Sequence, residues 1–546
     1  MRSSDRYRGR AVRRGRAENL DEALAALSAD ELREAVRDAL ERLDDGPRGD
    51  LEDRLILLAT RGVSGWKPPA PARTLVDDAR SFIAAACRVA RADPRDVDDF
   101  LRRAITASLA GDHASARAVF EVVLEPICQG DIDLGQHEMV DEVLSIDLHE
   151  CTCRLVAAAY LTTPLAERAD AVIAAIDLAS GASYVDDPVD VIAAALDHEV
   201  PELDAFLPLW IARLEREAET GSADRESRYE RWLRAAVGRR EGIEGLARLA
   251  RTTKRVEAAR AWCEALVEKR DWKGALAAYE ECAALVKAHH ARGELLDGAA
   301  LAARELGRKD LPEKLEAAWL AAPSLVRLAR WLAAGTPSAA IMRRRAAVAV
   351  DTSPTKSPRI LGLLRLITGD VKAAATLLSK APGLGWSRDE HPGHLLFPAF
   401  AWLLGGAPAG SARGDLSAAL HEPLHDAIDA FFADDTQRSE PRLSCPSIIE
   451  LLEVAQVARR VGAGDRPLII EAMRRAASRR VDGVLSEKRR RHYGHAATLV
   501  ACRAEIGGGA GDTSASSWLE RLRARTSRFP AFQQELRRAL GKQGAR

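Results

Sequence analysis

Lys269-Arg270-Asp271-Trp272-Lys273-Gly274-Ala275-Leu276-Ala277-Ala278-Tyr279 reads as the end of one helix, a short turn and the start of another. Trp272, Ala275, Leu276, Tyr279, Ala283 and Val286 recur at i, i+3, i+4, i+7, i+11 and i+14. That spacing gathers apolar side chains on one face of an α-helix. Asp271 stands just before the face, where a short acceptor side chain can bond the free N–H groups of a first helical turn. The stretch predicts an antiparallel helical hairpin.

The same grammar occurs twice more. Gly111-Asp112 precedes His113, Ala116, Phe120, Val123 and Leu124, and Gly369-Asp370 precedes Val371, Ala374, Ala375 and Leu378. Two further turns fit loosely: Lys309-Asp310 before Leu311 and Leu315, and Gly335-Thr336-Pro337, read as a Thr cap before a Pro at the first helical position. The markers at 271, 310, 336 and 370 are spaced by 39, 26 and 34 residues. Helix–turn–helix solenoids have a period of ~34.

Glu257 to Val286 and Arg103 to Leu124 resemble degenerate tetratricopeptide (TPR) repeats. The likeness rests on the Asp turn, the following apolar residue, the Ala, and then Tyr279 or Phe120, and it covers about a third of the chain. A regular Pro-terminated register and the large aromatics of the first helix are missing. The resemblance implies an array that binds a protein or peptide on its concave face. Trp262, Trp272, Tyr279, Arg304 and Arg308 are the candidate contact residues, although Trp272 and Tyr279 equally fit a place between repeats. Trp518 to Leu522, with Arg528 to Phe532, Glu535 and Leu536, is similar to the C-terminal helices of some bacterial SWIM-type zinc-finger proteins. The Cys-x-Cys and Cys-x-His metal motif of that family is not completed.

Composition agrees with an all-α fold, an irregular solenoid of antiparallel hairpins. Apolar residues are 47%, aromatics 5% and charged residues 29% of 546 residues, and Ala and Leu, strong helix formers, dominate the apolar share. The net charge of −1 gives the whole chain no field to draw it to nucleic acid. No run of 18 apolar residues occurs, so no membrane partner is expected. Eight scattered cysteines, mostly in apolar surroundings, point to a reducing, cytoplasmic setting.

The chain divides on paper into a basic arm (1–17, seven arginines), a small helical unit (18–62), a Pro-rich linker (63–73), two stretches of helical array (74–250 and 251–435) and a C-terminal helical unit (436–546). Ser28-Ala29-Asp30-Glu31 has the form of a capping box, ahead of Leu32, Val36, Leu40 and Leu43. Gly507-Gly508-Gly509 reads as a flexible break between C-terminal helices.

Several groups suggest chemistry. His421-Glu422-Pro423-Leu424-His425 matches H-E-x-x-H, which on a helix would put two imidazoles on one face beside a Glu. Pro423 disfavours that geometry and predicts instead a helix starting there, burying Leu424, Ile428, Phe431 and Phe432. His149, Cys151 and Cys153, with Cys128 and His137, could supply zinc ligands, but the apolar run after Cys153 reads as a buried helix. His391-Pro392-Gly393-His394 reads as a turn entering an apolar segment. No phosphate-binding or nucleophile-elbow motif occurs, so no cofactor and no enzymatic activity are expected.

Basic runs lie in the N-terminal arm, at Arg343 to Arg345 and at Lys488-Arg489-Arg490-Arg491-His492, where Tyr493 could stack on a base. The leading expectation is a scaffold for an unknown protein or peptide partner. Nucleic-acid association through Lys488 to Arg491 is the second, and a metal hydrolase at His421 and His425 the third.

Overall fold

Asp112, Asp271 and Asp370 each turn a carboxylate back onto the helix they precede in the computed structural model. They accept from the backbone N–H of Ser115 (3.1 Å), Gly274 (2.9 Å) and Ala373 (3.0 Å). Gly111 and Gly369 close the preceding helices with φ of 90° and 88°, a conformation that glycine alone adopts without strain. The hairpins expected at these turns are therefore present: Pro94–Ala110 with His113–Cys128, Val256–Glu268 with Trp272–Leu285, and Pro358–Thr368 with Val371–Lys380.

The structure describes residues 20, 22–62, 66–137, 139–196, 198–218, 226–388, 390–404, 411–424, 442–509 and 513–541. The basic arm at 1–17 lies outside them. Among the described residues the chain is all-α, with isolated bridges at Arg91–Asp133 and Pro423–Ser447 and no sheet. No described helix is long and apolar enough to cross a membrane. The chain falls into two compact units, Met1–Gly245 and Leu246–Arg546.

In the first unit, helix Leu148–Thr162 is the centre. Its residues from Cys151 to Tyr160 are all buried. Helices His113–Cys128, Arg168–Leu178 and Pro188–Leu196 pack around it. A helix enclosed on all sides must be apolar all round, which its Leu-Val-Ala-Ala-Ala-Tyr run provides. Tyr160 donates from its hydroxyl to the carbonyl of Pro201 (2.6 Å), so its one polar atom is satisfied. Helix Ala29–Arg42 differs. Ser28 and Glu31 form the capping box, but none of its residues is buried.

In the second unit, Val256–Glu268, Trp272–Leu285, His289–Glu305, Leu311–Ala321 and Leu325–Ala333 each pack on the next. Val371–Lys380 packs on the long helix Asp465–Ser486. Helices Tyr493–Gly509, Thr513–Arg525 and Pro530–Gly541 then close the core around Trp518, Phe532 and Leu536.

Four local expectations are corrected. The cap at 335–338 is Ser338, which accepts from Ile341 N (3.4 Å), while Thr336 has φ 47° in the turn. Asp310 makes no capping bond, because its carboxylate is held by Arg308. Pro423 does not open a helix; it sits in the bridge to Ser447. The expected core residues Ile428, Phe431 and Phe432 lie outside the described residues. Gly507 to Gly509 are the last residues of a helix rather than a break. Three glycines lower helix propensity by about 1 kcal/mol each, but the buried face before them sets the local state.

Candidate functional site

The residues proposed from sequence at 262–308 are mostly committed to their own chain. Trp262 is buried, with the Arg251 guanidinium 4.8 Å above its ring, and Arg251 in turn holds Glu281 (2.6 and 3.0 Å). Tyr279 and Trp272 are half-buried. Tyr279 lies on Gly298 of the next helix, so close that a Cβ there would be 2.3 Å from its ring. It therefore joins consecutive hairpins. Arg308 holds Asp310 with two bonds of 2.8 Å.

Arg304 reaches a different part of the chain. It donates to the Arg442 carbonyl (2.7 Å) and to Glu305 (2.7 Å). Arg330 donates to the Leu443 carbonyl (3.5 Å), and the Cys445 thiol to the Val326 carbonyl (3.7 Å). Residues 442–445 thus run along the ends of helices His289–Glu305 and Leu325–Ala333. Arg343 continues the seam by donating to the Ala455 carbonyl (3.2 Å). At this edge of the array the chain supplies its own occupant.

The metal candidates meet only in part. Cys151 and Cys153 are both buried on helix Leu148–Thr162 and project in different directions, as i and i+2 positions must. His149 faces Cys153 (3.5 Å) and Ser183 (2.8 Å). Burial pushes the Cys153 thiol up to about 11 and that of Cys151 well above its ordinary value. Buried thiols of that kind are poor ligands and poor nucleophiles at neutral pH. His421 is exposed in a turn, and His425 lies outside the described residues. Among the described residues no three His, Cys, Asp or Glu side chains gather as a metal would require.

The basic runs also divide. Arg345 caps helix Leu325–Ala333, donating to the carbonyls of Trp331, Leu332 and Ala334 (3.1, 3.2 and 2.8 Å). Lys488, Arg489, Arg490 and Arg491 are exposed. Tyr493 is buried edge-to-face against Phe532 (5.9 Å, 89°), so the expected base-stacking face points into the core.

A cleft that sequence reasoning did not find lies in the first unit. It encloses about 620 Å³ between helix Asp45–Arg61, helix Pro94–Ala110 and residues 141–150. Ile56, Leu57, Leu58, Ile105, Leu109, Leu144 and Ile146 supply its apolar lining. Leu58 is 58% exposed. Asp98, buried, builds one wall by accepting from Ser145 N, Ser145 Oγ and Ile146 N (3.0, 2.6 and 3.2 Å). Arg102 ties the walls together, donating to Asp53 (2.9 Å) and to Ser145 Oγ (2.9 Å). Gly49 leaves room for that guanidinium, since a Cβ there would meet Arg102 Nη2 at 2.6 Å. Burial raises the Asp53 carboxyl above its usual range, against the pull of Arg102.

Five carboxylates and two arginines line the cleft. Arg102 pairs Asp53 and, at 4.0 Å, Asp50, Arg154 pairs Glu150 (2.7 Å), and Asp147 caps helix Leu148–Thr162; Asp50, Asp141 and Asp147 stand at the rim. The described helical pair beside it, residues 22–62, carries eleven Asp and Glu against six Arg. Its surface is also apolar: Leu24, Leu27, Leu43 and Leu58 are exposed. Shape, apolar floor and negative rim suit a cationic amphipathic segment.

No protein-family model matches the chain, and no curated protein matches it.

Proposed function

We propose that the protein is a non-enzymatic scaffold of TPR-like helical hairpins that binds a partner protein through a cationic, apolar segment. The segment seats in the cleft between helices Asp45–Arg61 and Pro94–Ala110. The observation that carries this reading is the half-covered apolar floor under an acidic rim. An apolar surface of that kind gains free energy when a partner removes it from water, at about 25 cal/mol per Å². The edge of the array at Arg304 is a weaker candidate, because residues 442–445 already cover it.

The test is fluorescence anisotropy with two labelled amphipathic peptides of matched pattern, one of Leu and Lys and one of Leu and Glu. The Leu/Lys peptide is expected to bind the full chain, and Leu58→Ser to weaken it by about tenfold, the effect of losing roughly 1.4 kcal/mol of apolar burial. Asp50→Asn with Asp141→Asn is expected to weaken it and flatten its salt dependence. Equal binding of the Leu/Glu peptide, or indifference to Leu58→Ser, would reject the reading.

A further inference from the structure

Two motifs that stand about 100 residues apart in sequence, His391-Pro392-Gly393-His394 and Lys488-Arg489-Arg490-Arg491-His492, come together in the second unit around one buried cation, Arg480. The approach is a backbone one. Gly383 lies against helix Asp465–Ser486 so tightly that a Cβ there would be 2.2 Å from the Arg479 carbonyl oxygen and 3.4 Å from Gly483 Cα. Arg479 and Arg480 hold the incoming loop by donating to the carbonyls of Ala381 (3.4 Å) and Gly383 (3.2 Å). Trp386 follows three residues later in that loop. The His391 ring lies tilted at 4.8 Å from Trp386 and the His495 ring edge-on at 5.2 Å.

His391 is fully used. Its Nδ1 accepts from Gly393 N (3.1 Å), so its Nε2 donates to the Pro382 carbonyl (3.0 Å), and the imidazole is neutral. Its neighbours are only partly used, Arg480 through its one bond to Gly383. Arg480 is 4% exposed, its Nε has no partner, and among the described residues no carboxylate pairs with it. The indole N–H of Trp386, itself 3% exposed, and Nδ1 of His495 are likewise without a partner. Arg480 is the charge that acts most strongly on both His495 and His492, and Arg491 and Arg489 also act on His492. A buried guanidinium without a counter-ion is costly, and so is every buried donor left unmade. An anion bound among these side chains would supply the acceptors that they lack.

We propose that Arg480, Trp386 and His495, with Arg489, Arg491 and His492 around them, form a binding site for a phosphate-type oxyanion, free phosphate or a phosphate monoester. The guanidinium fork matches phosphate oxygens, and the indole N–H and imidazole add directed donors. Nucleic-acid backbone is the poorer fit. Arg480 and Trp386 lie beneath the surface, whereas a polyanion would be served by the exposed Lys488 to Arg491 alone.

The test uses the full chain. Its Tm is followed against inorganic phosphate, phenyl phosphate and a single-stranded oligonucleotide, each compared with chloride at equal ionic strength, and affinities are measured by calorimetry. Phosphate is expected to raise Tm saturably. Trp386→Phe, which keeps the ring packing and deletes only the N–H, is expected to weaken phosphate about tenfold, the effect of one lost hydrogen bond to a charged group. Arg480→Met is expected to abolish binding. Tighter binding of phenyl phosphate than of inorganic phosphate would assign an ester as the ligand, and the reverse order the free ion. The proposal is overturned if phosphate acts as chloride does. It is equally overturned if Trp386→Phe binds phosphate like the native chain. The same holds if only the oligonucleotide binds and Arg489→Ala with Arg490→Ala alone removes that binding.

Discussion

Tyr279 rests on Gly298 with no room for a β-carbon between them: a methyl at position 298 would stand 2.3 Å from Cε1 of the ring. The contact joins helix Trp272–Leu285 to helix His289–Glu305. Gly298→Ala is expected to destabilise the second unit by about 1–3 kcal/mol, the usual cost of overpacking, even though Ala is the better helix former. The double variant with Tyr279→Leu should recover most of that loss. Urea unfolding of the four species gives the coupling, and a purely additive cycle would show that the two residues do not meet.

The aspartates at the turns should behave as caps. Asp112→Ala, Asp271→Ala and Asp370→Ala are each expected to cost about 1 kcal/mol through the loss of one N-terminal hydrogen bond. Asp310→Ala should cost less, because it caps nothing and loses ion pairs at the surface with Arg308 and, at 3.9 Å, Lys314. Thr336→Ala should be near neutral, and Ser338→Ala should resemble the aspartate variants. Thermal denaturation of the set orders the effects. Equal losses at 310 and 271 would contradict the assignment.

Asp297 is the counter-ion of a buried arginine. Arg327 donates to it (2.7 Å) and to the Ala322 carbonyl (2.9 Å), and both ionic side chains are largely enclosed. Asp297→Ala would leave the guanidinium buried and unpaired, at an expected cost of roughly 3–5 kcal/mol. Replacing both partners together, as Asp297→Leu with Arg327→Met, should cost less, the remainder being the 3.8 Å partner that Arg330 also loses. A small loss in the single variant, measured by denaturant unfolding, would show that the pair is solvated.

His495 should make the second unit acid-sensitive. Burial, with Arg480, His394, His492 and His391 nearby, lowers its pKa from 6.5 to about 4. The unfolded chain then takes up the proton first. The stabilising contribution is complete above pH 6.5 and is lost as pH falls from 6.5 toward 4. The loss is on the order of 3 kcal/mol. His495→Gln should flatten the fall of stability across that window. An unchanged pH profile in the variant would show that His495 titrates normally.

The legible parts of the fold were local. Asp112, Asp271 and Asp370 announce their helices because a cap and its target lie within three residues, and the apolar spacing after each one follows the helix period. Pro337 points to Thr336 as the cap, whereas the turn holds Thr336 at positive φ and Ser338 caps the helix. Pro423 looks like a helix start in sequence, but its pairing with Ser447 is set by a distant segment. The cleft was invisible for the same reason: Asp50 and Asp53, Ile105 and Leu109, and Asp141 to Glu150 are ordinary amphipathic positions until Asp98 and Arg102 draw them together. The histidine and arginine motifs were each visible, but nothing in their spacing shows that Gly383 and Gly483 bring them side by side.

The most direct measurement of the scaffold reading is backbone hydrogen–deuterium exchange of the full chain with and without the Leu/Lys peptide. Helix Asp45–Arg61 carries a thin set of contacts and should exchange readily in the free chain. Added peptide is expected to slow exchange within residues 45–61 and 141–150. Protection confined to residues 256–308, or no protection anywhere, would contradict the assignment of the cleft as the partner site.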